Sequence, residues 1–139
     1  MTLKIAFLAS DAPMAQTARA ALVSRYTDTP KEKADIIVAL GGDGFMLQTL
    51  HSTQALPAPV YGMNRGTVGF LMNEYHESDL LERLSEAQEE VINPLSMQAT
   101  CVDGTVHNAL AINEVSVLRM GPQAAKLKIM IDGQLRMEE

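Results

Sequence analysis

The chain has 139 residues, 47% of them apolar, which suits one domain with a real core. A net charge of −6, no Trp, and aromatic residues that do not interleave with basic ones argue against nucleic acid or an anionic membrane as partner. The single cysteine, Cys101, excludes a disulfide framework and suits the reducing cytoplasm, and no run approaches the roughly 20 apolar residues of a membrane span.

Met1–Ser10 has too short an apolar core for a signal peptide, and Asp11 follows at once. Leu3–Ala9 reads instead as a first strand, nearly all apolar and therefore expected to be central. Asp11 is a candidate cap for a helix whose first turn tolerates Pro13. Met14, Ala18, Ala21 and Leu22 form its expected buried stripe, ending near Arg25. Tyr26–Lys33 is polar and turn-rich, and Asp35–Leu40 then closes a βαβ unit. The turn Ser10–Met14 lacks the Gly-x-Gly-x-x-Gly fingerprint, which disfavours a standard dinucleotide fold.

The next stretch organises the chain. Ile36, Ile37, Val38, Ala39 and Leu40 show no polar alternation, as expected of a strand buried on both faces of a parallel sheet. They run into Gly41-Gly42-Asp43-Gly44, where three glycines free the backbone to turn and to approach a ligand. Met46, Leu47 and Leu50 follow at helical spacing, so Gly44 lies near a helix N-terminus, where free N–H groups favour an anion such as phosphate. A plain hairpin turn, or Asp43 acting only as a helix cap, is the competing reading.

The helix Gly44–Gln54 ends before Pro57-Ala-Pro59, and Val60–Met63 is a short strand. Asn64-Arg-Gly-Thr-Val-Gly-Phe-Leu71 is a second glycine-containing loop, with Arg65 either a ligand for phosphate or a solvated charge and Phe70 more often core than platform. Glu77–Glu90 reads as an amphipathic helix with Leu80, Leu81, Leu84 and Ala87 inward. Beyond it, Met97–Val102, a turn at Asp103-Gly104 and Val106–Leu118 read as a β-hairpin, with Cys101 a half-buried strand residue. Lys126–Ile131 alternates into a second Asp-Gly turn at Asp132-Gly133, and Gln134–Glu139 starts another strand. Asn113 and Glu114 interrupt an apolar run within the first hairpin, so one of them is expected to be inward and partnered, or to mark a bulge. His51, His76 and His107 share no metal-ligand spacing and are read as structural, so no metal ligand is assigned. The expected class is α/β: a parallel-sheet nucleotide-binding domain over residues 1–94, then the incomplete start of an antiparallel β domain over 95–139. The chain is therefore expected to be the N-terminal part of a longer protein.

In this order and spacing, Gly41-Gly-Asp-Gly44, Asn64-Arg-Gly-Thr-Val-Gly-Phe-Leu71 and Ala111-Ile-Asn-Glu114 resemble the NAD kinase family, which shares a superfamily with diacylglycerol and sphingosine kinases and phosphofructokinases. The resemblance spans the chain and implies ATP-dependent phosphorylation, with Mg²⁺, of the adenosine-ribose 2′-hydroxyl of NAD. It implies Asp43 as general base and Asp43, Gly44, Leu47, Phe70, Asn113 and Glu114 as NAD contacts. Gly41, Gly42, Gly44 and Arg65 are the expected phosphate and ATP contacts, and homodimers or homotetramers the expected assembly. An aspartate at a helix N-terminus is favoured as the anion, so Asp43 is expected to orient the hydroxyl or hold Mg²⁺ as much as to remove a proton. Phe45 stands where the family usually has Thr, and the family's later Gly-rich Thr-Ala-Tyr segment does not occur, so this chain alone is expected not to turn over. A diacylglycerol-type lipid kinase, which shares the glycine motif, and a non-catalytic nucleotide-binding module are the rival readings. Neither a Lys/Arg-rich membrane face nor an Arg cluster for sugar phosphates supports the other superfamily members.

Overall fold

The computed structural model describes residues 2–139. Its first part alternates strand and helix: β1 (Ile5–Ala9), α1 (Pro13–Tyr26), β2 (Ile36–Gly41), α2 (Asp43–Ser52), β3 (Val60–Asn64) and α3 (Leu80–Glu86). Two hairpins follow, β4 (Leu95–Thr100) with β5 (Val106–Ala111), and β6 (Lys128–Ile131) with β7 (Gln134–Glu138).

The three leading strands form a parallel sheet in the order β1-β2-β3. Ile37, Val38, Ala39 and Leu40 have no exposed surface, as the unbroken apolar run requires. One face of the sheet, with Ile5, Phe7, Val38, Leu40 and Met63, packs on Ala15, Ala18 and Leu22 of α1 and on Leu80 and Leu84 of α3. The other face, Ala6, Ile37 and Ala39, is covered from the side of α2, whose Met46 approaches Gly62. The register pairs Gly41 with Asn64, which sets the glycine turn and the Asn64–Leu71 loop side by side at the carboxyl ends of the strands.

β1 lies at an edge of this sheet, not at its centre. An apolar strand reports that both faces are covered, and says nothing about whether both edges are paired. The open edge is closed by side chains: Asp28 Oδ1 accepts the Phe7 N–H at 2.9 Å, Arg19 Nε donates to the Phe7 carbonyl at 2.8 Å, and the two side chains pair at 2.7 Å. The N–H of Thr29 donates to the Ile5 carbonyl at 2.9 Å. The Phe7 N–H and the Phe7 and Ile5 carbonyls on the open edge are thereby satisfied without a neighbouring strand.

Other expectations shift at element ends. Ala12, without a side-chain bond, precedes α1 where Asp11 was expected to cap it, and the buried stripe is Ala15, Ala18 and Leu22, with Met14 exposed. α3 is shorter than Glu77–Glu90: Asp79 in a left-handed conformation starts it, and it ends at Glu86. Only Leu80 and Leu84 are buried in it, Leu81 and Ala87 being exposed, and acids four apart at Glu82, Glu86 and Glu90 oppose its continuation. β5 stops at Ala111 instead of continuing to Leu118, because β4 offers no partners beyond Leu95. Asn113 and Glu114 accordingly lie past the strand, both exposed, so neither is inward, and Cys101 is exposed at the hairpin turn.

Candidate functional site

β2 ends at Gly41, Gly42 is the residue that caps α2 with backbone alone, and Asp43 is the first residue of the helix. The Phe45 side chain packs over Gly41, where an added Cβ would stand 2.9 Å from Phe45 Cβ. Gly44 faces open space, so no protein neighbour requires glycine there.

The second loop folds onto this turn through bonds that the sequence did not announce. Asn64 Oδ1 accepts the Gly66 N–H at 3.0 Å, an Asx turn that accounts for the Asn-x-Gly spacing. The Arg65 N–H donates to the Gly41 carbonyl at 2.7 Å. Asp43 then takes both ends of its carboxylate to the loop: Oδ2 accepts the Phe70 N–H at 2.8 Å and Oδ1 the Leu71 N–H at 2.9 Å. Gly69 sits against this carboxylate so closely that a Cβ there would overlap it. Asn73 closes the loop beside β3, its N–H and Nδ2 both donating to the Gly62 carbonyl at 2.8 and 3.0 Å. The glycine turn and the Asn-x-Gly-x-x-Gly-Phe-Leu loop are thus one unit with Asp43 at its centre.

Arg65 sits over Tyr75, its guanidinium carbon 3.6 Å from the ring centroid, at a cavity of about 490 Å³ that Asn64, Gly69 and Asn73 also line. It has no carboxylate partner among the described residues. Burial, reinforced by Glu77, pushes the Tyr75 phenol above its ordinary value, while Arg65 pulls it down. Phe70 is fully exposed, so it is not core, and it lines none of the cavities described here.

A separate cavity of about 410 Å³ lies between α2 and the end of β5. Leu47, Asn113 and Glu114, far apart in sequence, line it together with Gln48, His51 and Leu110. His51 donates from Nε2 to the Leu110 carbonyl at 3.3 Å. The bond agrees with a structural role for this histidine, although no spacing signal in the sequence points to its partner. A third cavity, about 820 Å³ beside β1 and lined by Ser10, Asp11, Gln16, Arg19, Phe45 and Gln48, contains none of the sequence-predicted site residues. No group of three His, Cys, Asp or Glu side chains fit to hold a metal occurs among the described residues.

Residues 3–95 match the family described as the ATP-NAD kinase N-terminal domain. A protein of Cereibacter sphaeroides named NAD kinase is 63% identical over 98% of this chain and 54% of its own length. The NAD kinases of Caulobacter vibrioides and Rhizobium meliloti are 58% and 53% identical, over 98% and 97% of this chain and 52% of each relative. The chain spans about half the length of the curated relatives it matches.

Proposed function

The chain belongs to the ATP-NAD kinase family, and from that premise we propose that the whole protein transfers the γ-phosphoryl group of ATP to the 2′-hydroxyl of the adenosine ribose of NAD, giving NADP. The observation that carries the reading is the convergence of three separate motifs on α2: the Asn64–Leu71 loop is held by Asp43 at its first residue, and Asn113 and Glu114 face Leu47 one turn further on. Close identity to proteins named NAD kinase favours this reading over the lipid-kinase one.

Phosphoryl transfer depends on positioning and charge neutralisation more than on covalent chemistry by the protein. Gly41, Gly42 and Gly44 and the first turn of α2 offer backbone N–H groups to the triphosphate. Arg65, held over the Tyr75 ring and without an acidic partner among the described residues, supplies a cation beside them. Each Asp43 oxygen accepts one N–H from the loop and keeps lone-pair capacity, so the carboxylate orients the 2′-hydroxyl and takes its proton as the phosphoryl group arrives. Asn113 and Glu114 accept and donate to the ribose hydroxyls of the nicotinamide half, with Leu47 as an apolar contact beside them; exposed Phe70, next to the clamp on Asp43, is a further apolar contact only once the ligand is bound. Mg²⁺ carried on the ATP phosphates would supply charge neutralisation there, with Asp43 the acidic side chain at the head of α2.

The domain boundary at 94/95, the homo-oligomer and the cytoplasmic setting belong to the same proposal. The family match ending at residue 95 supports the first. Exposed Val117, Leu118 and Met120 support association or further packing, and the free Cys101 thiol supports a reducing compartment. NADP formation from NAD and Mg·ATP, assayed in a chain extended to the length of the relatives, tests the function. Asp43→Ala is expected to lower the rate by about 100-fold or more. NAD binding with no turnover in the extended chain would replace the kinase by a non-catalytic binding module.

A further inference from the structure

We infer that His51 is a positioning residue that docks the Asn113–Glu114 segment onto α2 and so builds the cavity between them. The inference takes its ligand, the dinucleotide, from the function proposed above. Its structural half stands on separate observations. The bond from His51 Nε2 to the Leu110 carbonyl is the one hydrogen bond that joins residues 2–94 to residues 95–139 among the described residues. A backbone carbonyl only accepts, so Nε2 carries the proton whichever state the other nitrogen adopts. Leu110 lies three residues before Asn113, close enough that fixing its carbonyl fixes where Asn113 and Glu114 emerge from β5.

The helix gives the arrangement its direction. Asp43, Leu47 and His51 recur every four residues, so they share one stripe of α2, with about 12 Å of axis between the first and the last. The stripe begins at the glycine turn and ends where β5 is held. A dinucleotide laid along it has its reacting end at Asp43 and a hydroxyl-bearing end between Glu114, Asn113 and Gln48. His51 is exposed, so replacing it leaves the core of the α/β layer intact.

Two measurements on the chain and its His51→Leu and His51→Gln variants test this. Cys101 is exposed and is the chain's only cysteine, so a nitroxide on it reports the hairpin's distance from α2 by paramagnetic broadening of the α2 amides. Broadening is expected in the unsubstituted chain and in His51→Gln, whose amide nitrogen still donates, and is expected to vanish in His51→Leu. Calorimetric NAD affinity is expected to fall by about 3- to 10-fold in His51→Leu and to be restored in His51→Gln. Broadening that persists in His51→Leu overturns the docking role, and equal loss in both variants overturns the hydrogen bond as its cause. Broadening lost in His51→Leu and kept in His51→Gln, with no NAD binding even to the unsubstituted chain, upholds docking and overturns the assignment of the cavity to the dinucleotide.

Discussion

Both oxygens of Asp43 are taken up by backbone N–H groups from residues 27 and 28 positions away, so this side chain organises the site before any substrate arrives. Hydrogen bonds to a carboxylate are among the stronger ones, and Gly69 is what lets the loop come close enough to make them. Gly69→Ala is therefore expected to push the loop off Asp43, with a loss of about 1–3 kcal/mol in stability and faster hydrogen exchange at Phe70 and Leu71. Unchanged exchange at those two amides would refute the clamp. Tyr75 carries a second prediction. Its phenol is held neutral beyond its ordinary value, chiefly by burial, so the unfolded chain ionises first. The stability due to Tyr75 is present below about pH 10 and is lost as pH rises above it. Thermal midpoints from pH 8 to 11 are expected to fall more steeply in the unsubstituted chain than in Tyr75→Phe.

At the scale of elements, β1 shows how an edge is finished. Arg19 and Asp28 present one donor and one acceptor to Phe7, as a residue of a neighbouring strand would, and their mutual ion pair keeps both in place. Asp28→Ala removes the acceptor and leaves the guanidinium without its partner. The expected loss is about 1–2 kcal/mol, read as a lower urea midpoint at unchanged slope, with faster exchange at the Phe7 amide. The two helices of the leading βαβ units and the existence of the strands they connect are legible because apolar runs and Gly or Pro punctuation mark them directly. The amphipathic pattern of Glu77–Glu90 overruns α3 because acids four apart and the left-handed Asp79 confine the helix to Leu80–Glu86. The strand pattern overruns β5 for a related reason: Val115, Val117 and Leu118 have strand propensity, but β4 has no residues left to pair with them.

For the whole molecule, the motifs alone determined that β2 is a doubly buried strand, that a glycine turn opens a helix after it, and that Asp43, Asn64–Leu71 and Asn113–Glu114 belong to one family's pattern. The first two are local, and backbone freedom, apolar periodicity and helix-terminus polarity express them within a few residues; the third rests on the resemblance of three separated motifs to one family. Only the tertiary structure decided that β1 is an edge, that Asp43 holds the second loop by two backbone N–H groups, and that Leu47 meets Asn113 and Glu114 in a cavity with His51 at its side. Each of these depends on which strand ends are brought together, and parallel pairing of β2 with β3 joins Gly41 to Asn64 across a stretch whose residues carry no record of that distance. A histidine has the same side chain whether it faces water or holds a distant carbonyl, so its role is set by the partner that the fold delivers to it.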